Sequence, residues 1–163
     1  MILSCRLLTP LDANEIGDLS ELLLDPAFQE VALVDDEVAK IKQNLLSFLR
    51  DSNWLILSSG HDIIGYLRFA YFSSISASVH GYVKPKYWGL GISDEFNKKV
   101  DEWFKLNTTV FKLIVFTPRC CEQVIKAVVR MGYEIEGVMM LAVVWRQKVE
   151  NLVILSKFIH REI

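Results

Sequence analysis

Residues 82–93, YVKPKYWGLGIS, set two glycines one residue apart, Gly89 and Gly91, between an extended apolar run and an amphipathic one. A strand, a glycine turn and a helix in that order can hold an anion. The helix N-terminus offers unpaired backbone N–H groups and about half a positive charge, and glycine lets backbone approach without a Cβ in the way. Lys84 and Lys86 add positive charge. Just upstream, His80 and Tyr82 are candidates for proton transfer, because imidazole ordinarily titrates near about 6.5 and a phenol can supply a proton. Each also has a plain structural use: a core histidine satisfied by backbone, a sheet-packing tyrosine, and glycines that serve only a tight connection. Of the three cysteines, Cys120 and Cys121 are adjacent, which suits no ordinary disulfide. Neither they nor His61, His80 and His160 fall in a zinc-ligand spacing, so free thiols and no metal are expected. A helix start at Cys120 and Cys121 would favour thiolate there, and with it a covalent acyl-cysteine step.

The elements that must carry these residues follow from periodicity. ILSCRLL predicts a short strand. TPLDANEIGDLSELLLDP predicts a helix with Ile16, Leu19, Leu22 and Leu23 on one stripe and Pro26 as its stop. A second helix is expected over Glu37 to Arg50, with Val38, Ile41, Leu45, Leu46 and Leu49 inward. NWLILSS and DIIGYLRFAYF flank GHD and read as an antiparallel hairpin, with SASVHGYV as a third strand. Ile92, Phe96, Val100, Trp103 and Phe104 place a helix from about Ser93 to Leu106. VFKLIVF, RCCEQVIKAVVRM, YEIEGVMMLAVVW and NLVILSKFI then read as strand, helix, strand and strand, with Gly132 closing the helix. The order β-α-α-β-β-β-α-β-α-β-β predicts an α/β fold, a mixed sheet with helices on both faces.

Composition bounds the partners. The chain has 163 residues, 52% hydrophobic and 23% charged, with a net charge of −2. One packed domain over residues 1–163 is expected, and no broad basic face for nucleic acid. The longest unbroken apolar run, VMMLAVVW, is far short of the roughly 20 residues of a membrane helix. The opening MILSCRLLTPLD has no basic stretch leading into a long apolar run. A cytoplasmic setting without membrane contact is the expectation.

VKPKYWGLGI resembles the pyrophosphate-binding motif of the GNAT superfamily of acyl-CoA N-acyltransferases, in which a strand ending V-x-P precedes Q/R-x-x-G-x-G/A. Lys86 stands at the usual Gln or Arg, and Gly89 and Gly91 fill the small positions. Downstream, VVRMGYEIEGVMM is similar to the K-x-G-F-x-x-E-G signature of the branch that includes the RimJ and RimL ribosomal-protein N-terminal acetyltransferases, through Arg130, Gly132, Tyr133, Glu136 and Gly137. The element order also matches the GNAT fold. These motifs span residues 79–137.

The resemblance implies acetyl-CoA as cosubstrate. The backbone of Gly81, Tyr82 and Val83 would bind the pantetheine arm on a strand splayed from its neighbour. Lys86 and the amides of Trp88, Gly89, Leu90, Gly91, Ile92 and Ser93 would hold the pyrophosphate, with Cys121 also on the cofactor. The acyl-CoA-binding core would lie at about 76–137, and helices at about 11–50 would wall the acceptor side. The usual acid and base positions are apolar here. The RimI-like tyrosine falls on Val128, the asparagine on Cys121 and the strand glutamate on Phe116; the RimL-like serine falls on Val124 and the late glutamate on Val143. His80 and Tyr82 are the nearest polar substitutes.

Two readings follow. One is an N-acetyltransferase moving an acetyl group from acetyl-CoA to a primary amine: a protein N-terminus, a lysine or a small polyamine. The other is a catalytically silent GNAT-fold binding or assembly module, motivated by the apolar positions and by Asp94 and Glu95, which would oppose a pyrophosphate at the helix start. Nine acids and no Lys or Arg lie between Leu7 and Ala39. They form either an acidic wall that gathers a cationic amine or a solvated helix face, and they argue against an aminoacyl-tRNA acceptor. Edge strands near the C-terminus allow a homodimer by sheet extension.

Overall fold

The computed structural model describes residues 3–9, 12–88 and 90–159. Gly89, Pro10 and His160 lie outside the described residues, as does Ile2 of the first expected strand. In chain order the elements are β1 (Ser4–Leu7), α1 (Ala13–Leu24), α2 (Pro26–Ala32), α3 (Asp35–Arg50), β2 (Asn53–Ser59), β3 (Asp62–Ser73), β4 (Ser76–Val83), α4 (Ser93–Asn107), β5 (Lys112–Pro118), α5 (Glu122–Arg130), β6 (Glu134–Trp145) and β7 (Lys148–Phe158), with a 3₁₀ turn at Pro85–Tyr87 before α4.

The strands form one mixed seven-stranded sheet in the order β1-β2-β3-β4-β5-β7-β6. Only β4 and β5 pair in parallel among the described residues; every other neighbour is antiparallel. The expected order holds with one addition, the short helix α2. Pro26 ends α1 as expected and also opens α2, because its fixed φ suits the first helical position. The carboxylate of Asp25 caps α2 by accepting from the N–H of Ala27 at 2.8 Å and of Phe28 at 3.4 Å.

Alternation along the strands divides the apolar side chains between two cores. Odd-numbered positions such as Leu55, Leu67, Phe69, Ala77 and Val79 pack with Ile92, Phe96, Val100 and Phe104 of the α4 side. Even-numbered Trp54, Ile56, Tyr66 and Tyr82 pack with Leu19, Leu23, Phe28 and Ile41 under α1–α3. The helix layer α1–α3 therefore covers β2, β3 and β4, and no residue of β5, β6 or β7 belongs to its core.

The inward face of α3 differs from the periodic expectation at one position. Leu46 is exposed and Phe48 is buried instead. Asn44 leaves the helical region, and its side chain accepts from the N–H of Ser47 at 3.0 Å. That local bond competes with the helix ladder and rephases the last turn.

Candidate active site

The parallel pairing of β4 with β5 covers only Ser76–Ser78 against Lys112–Ile114. Beyond Ser78 the two strands part, and residues 79–83 of β4 run beside a gap. Lys84 N–H donates to the Ile64 carbonyl at 3.0 Å, which sets the phase of the β3–β4 ladder. In an antiparallel pair, residues alternate between facing the partner strand and facing away from it. Tyr82 spends its backbone on Tyr66 of β3, whereas Val79, Gly81 and Val83 turn theirs toward the gap. Gly81 is exposed there, and a Cβ on it would stand 3.2 Å from the ring of Phe96.

This arrangement amends the expected pantetheine contacts. The backbone of Gly81 is turned to the gap, whereas the Tyr82 backbone is committed to β3. The Val83 carbonyl accepts from the Trp88 indole N–H at 2.7 Å, so it is already partnered within the chain.

At the C-terminal end of β4 the chain makes the 3₁₀ turn and then enters α4. Gly91 has φ +69, the left-handed conformation that disfavours a side chain. Ile92 is buried against Phe96 and Val100, which anchors the helix start, and Leu90 is exposed. The α4 N-terminus thus follows a turn held by glycine. Lys86 is exposed, with its ammonium 4.8 Å from the Tyr87 ring centroid. Lys84 does not serve the turn: its ammonium pairs with Asp18 of α1 at 2.5 Å. Asp94 and Glu95 stand in the first turn of α4, as the sequence indicated.

On the helix-layer side of β4 the structure assembles a cluster that residue spacing did not show. Arg68 of β3 is the cross-strand partner of His80. Its guanidinium binds the carboxylate of Glu37 on α3 and lies 4.9 Å from the ring centroid of Phe48. Glu37 Oε1 also stands 3.8 Å from His80 Nδ1, and Oε2 accepts from the Val34 N–H at 3.3 Å. Burial pushes the Glu37 carboxyl up, but His80 and Arg68 outweigh it and hold the group down at about 2. The carboxylate is charged throughout the ordinary pH range and stands within ion-pair distance of His80, whose side chain is 37% exposed.

Tyr82 departs from its expected role as an acid. Its ring is buried among Phe28, Trp54 and His80, with centroids at 5.9, 5.5 and 4.7 Å. The hydroxyl is buried without a hydrogen-bond partner in the described structure. Burial, with the Glu37 charge beside it, raises its pKa above the usual tyrosine range. Tyr82 is a core residue that supports His80 by stacking, not a proton donor facing the gap.

Cys121 caps the N-terminus of α5 and is half-buried. Burial, reinforced by Cys120, pushes its thiol up to about 11, so the expected lowering by the helix terminus is overturned. Cys121 is then not the thiolate that an acyl-cysteine step needs. The apolar residues at the remaining aligned positions are Phe116 and Val143, both half-buried, Val124, exposed, and Val128, buried.

The acid-rich segment is mostly engaged in holding the fold. Asp12 and Glu15 pair with Arg6, each at 2.8 Å. Asp18 binds Lys84 and accepts from the Tyr66 hydroxyl at 2.6 Å. Asp25 caps α2, and Asp35 accepts from the N–H groups of Arg146 and Gln147 in the β6–β7 turn at 3.0 and 2.8 Å. With Glu37 on Arg68, Glu21, Glu30 and Asp36 are the carboxylates of this segment that remain exposed without such a contact among the described residues. No group of His, Cys, Asp or Glu among the described residues has the arrangement of a metal site, and no described helix is long and apolar enough to cross a membrane. Two open surface depressions lie away from the glycine turn, one beside Ser73 and Thr108, the other between Arg6 and Trp103.

No protein-family model matches the chain, and no curated protein sequence matches it. Solved structures do. A spermidine N-acetyltransferase from Vibrio cholerae, in complex with CoA and spermine, superposes with a TM-score of 0.74 at 10% identity, covering 96% of this chain and 95% of that one. RimL, a ribosomal-protein α-N-acetyltransferase in complex with coenzyme A, superposes with a TM-score of 0.73 at 15% identity, covering 97% and 94%. The chain has the fold of these GNAT N-acetyltransferases over 96–97% of its length.

Proposed function

We propose that this GNAT-fold chain is an N-acetyltransferase that takes acetyl-CoA as cosubstrate and acetylates a primary amine by direct attack. One observation carries the reading: β4 parts from β5 after Ser78, beside exposed Gly81, and leads through the Gly91 turn into the N-terminus of α4. That arrangement suits a long, bent cofactor with an anionic end. Backbone groups of Val79 and Gly81 would take its amide arm, and the α4 N-terminus its pyrophosphate. Bound there, acetyl-CoA supplies an acetyl thioester.

The chain's own residues supply the proton transfer. His80 borders the gap on the acceptor side, and Glu37 faces its Nδ1 at 3.8 Å. A proton on Nδ1 directed at Glu37 leaves Nε2 with a free lone pair, able to take the proton of an attacking amine and return it to the thiolate released as the thioester C–S bond breaks. Arg68 keeps Glu37 in place. The setting is cytoplasmic, and the acceptor is any amine small or extended enough to reach His80, among which the neighbours' substrates, a polyamine and a protein N-terminus, are two kinds.

Calorimetric titration with acetyl-CoA tests the reading, with Gly91→Asp as the comparison. Micromolar binding that the variant loses at least tenfold, with the fold intact by circular dichroism, supports it; an added carboxylate at the turn conflicts with pyrophosphate. No binding by the unaltered chain overturns it. Binding without turnover of any amine assigns the chain instead to the silent module suggested by Phe116 and Val128 at the usual catalytic positions.

A further inference from the structure

Val83 ends β4, and its carbonyl is one of the backbone groups turned away from β3 toward the gap. No strand pairs with it on that side, because the ladder with β5 stops at Ser78. A backbone carbonyl calls for a donor, and the chain supplies one from the following turn: the indole N–H of Trp88, at 2.7 Å. The 3₁₀ turn makes this contact possible. Tyr87 N–H donates to the Lys84 carbonyl at 2.9 Å and Trp88 N–H to the Pro85 carbonyl at 3.0 Å, which folds the chain back and brings the indole to the end of β4. The second of these bonds also commits the Trp88 amide, so it is not among those free to hold a pyrophosphate. What Trp88 brings to the gap is its side chain.

Little else holds that ring. Trp88 is 48% exposed and belongs to neither core. Trp54, by contrast, is buried against Phe48 and Tyr82 with its N–H on the Leu49 carbonyl, and Trp103 packs on Phe69 and Phe104. An indole is a donor only, so the bond to Val83 is what fixes the Trp88 side chain across the end of the gap. A neutral hydrogen bond is modest in net terms, and a ring already half in water loses little by swinging away.

We infer that the Trp88 side chain is a latch on the cofactor groove: it holds the Val83 carbonyl until an amide N–H of the acyl-CoA arm takes that carbonyl in its place, and the indole then turns outward. This rests on the acetyl-CoA reading and adds the residue that controls entry to the same site. The exchange replaces one neutral N–H donor by another, so it conserves hydrogen bonds. The groove has two forms, and the apparent affinity for the cofactor is the intrinsic one reduced by the fraction with the latch open. A bond of ordinary net strength keeps the latch closed in about four chains of five.

Calorimetric titration of the full chain and of Trp88→Phe with acetyl-CoA tests this, with tryptophan fluorescence followed over the same titration. Phenylalanine keeps a ring at an exposed position and removes the N–H, so the fold should hold by circular dichroism. The expected result is a Kd about fivefold lower for Trp88→Phe, and a fluorescence change in the unaltered chain that the variant largely loses. The sign separates a latch from a structural contact, whose removal would weaken binding. Equal or weaker binding by the variant overturns the inference and leaves the cofactor site standing. So does a fluorescence change that is absent from the unaltered chain or keeps its full amplitude in the variant. Failure of acetyl-CoA to bind either chain removes both.

Discussion

Glu37 Oε1 lies 3.8 Å from Nδ1 of His80, the one residue on the helix layer and the other on the strand that borders the β4–β5 gap. Glu37 reaches this place because it sits in the first turn of α3, where the Val34 N–H and the Arg68 guanidinium together fix its two oxygens. The pair joins the helix layer α1–α3 to the strand that borders the gap.

His80→Ala should lower kcat by roughly 10²-fold, the ordinary contribution of a general base. The acidic limb of the pH–rate profile should flatten in the variant. Steady-state rates from pH 5 to 9 decide the matter: a profile of unchanged shape removes His80 as the base.

Glu37→Gln should destabilise the fold in a pH-dependent way. The folded carboxyl is held at about 2 against an ordinary 4.5. A depressed pKa means the stabilisation is fully present above about 4.5 and is lost as pH falls toward 2. The difference between the unaltered chain and the variant should be on the order of 2–3 kcal/mol near pH 6. Urea denaturation at pH 6 and at pH 3 should show it shrinking; a constant difference would mean the charge on Glu37 contributes nothing to stability.

Tyr82→Phe should leave turnover within about twofold and hold or raise stability by up to about 1 kcal/mol, since it removes a buried hydroxyl that has no partner. Thermal melts and acetylation rates check both halves. A hundredfold loss of kcat would restore Tyr82 as the acid.

Gly81→Ala should cost about 1–2 kcal/mol, because the new methyl stands 3.2 Å from the Phe96 ring, itself buried among Val79, Val100 and Phe104. Denaturant midpoints measure it. Replacing Phe96 with Leu in the same background should recover part of the loss; equal stability of Gly81→Ala and the unaltered chain would show that α4 can slide outward freely.

Much of the fold was legible in the chain. β2 and β4 begin and end where alternation and turn residues put them, and α4 starts at Ser93 as the apolar stripe indicated. Local rules broke where a side chain diverted the backbone. Asn44 bonded to Ser47 and turned Leu46 outward, and Pro26 opened a helix as well as ending one. The C-terminal strands extend to a tight turn at Arg146 and Gln147, both at positive φ, that Asp35 holds from α3.

The candidate site divides the same way. The glycine turn and the neighbouring strand could be found from spacing, since an anion site at a helix start is a local device. Glu37 and Arg68 could not, because their meeting depends on α3 crossing β3 and β4. A signal was nonetheless present: Arg68 is the one charged residue inside the apolar run IIGYLRFAYF, and a buried charge requires a partner. The acid-rich N-terminal segment looked alike throughout in the sequence, and only tertiary structure separated carboxylates bound to Arg6, Lys84 and Arg68 from those left in water.

By itself, the order of residues determined the elements, the faces they bury and the turn into α4, because periodicity and glycine conformation act over a few residues. Tertiary structure decided which ionisable groups meet and that Tyr82 is core, stacked on His80. Those outcomes depend on strand register and on where β4 parts from β5, and register is set by packing across the whole sheet.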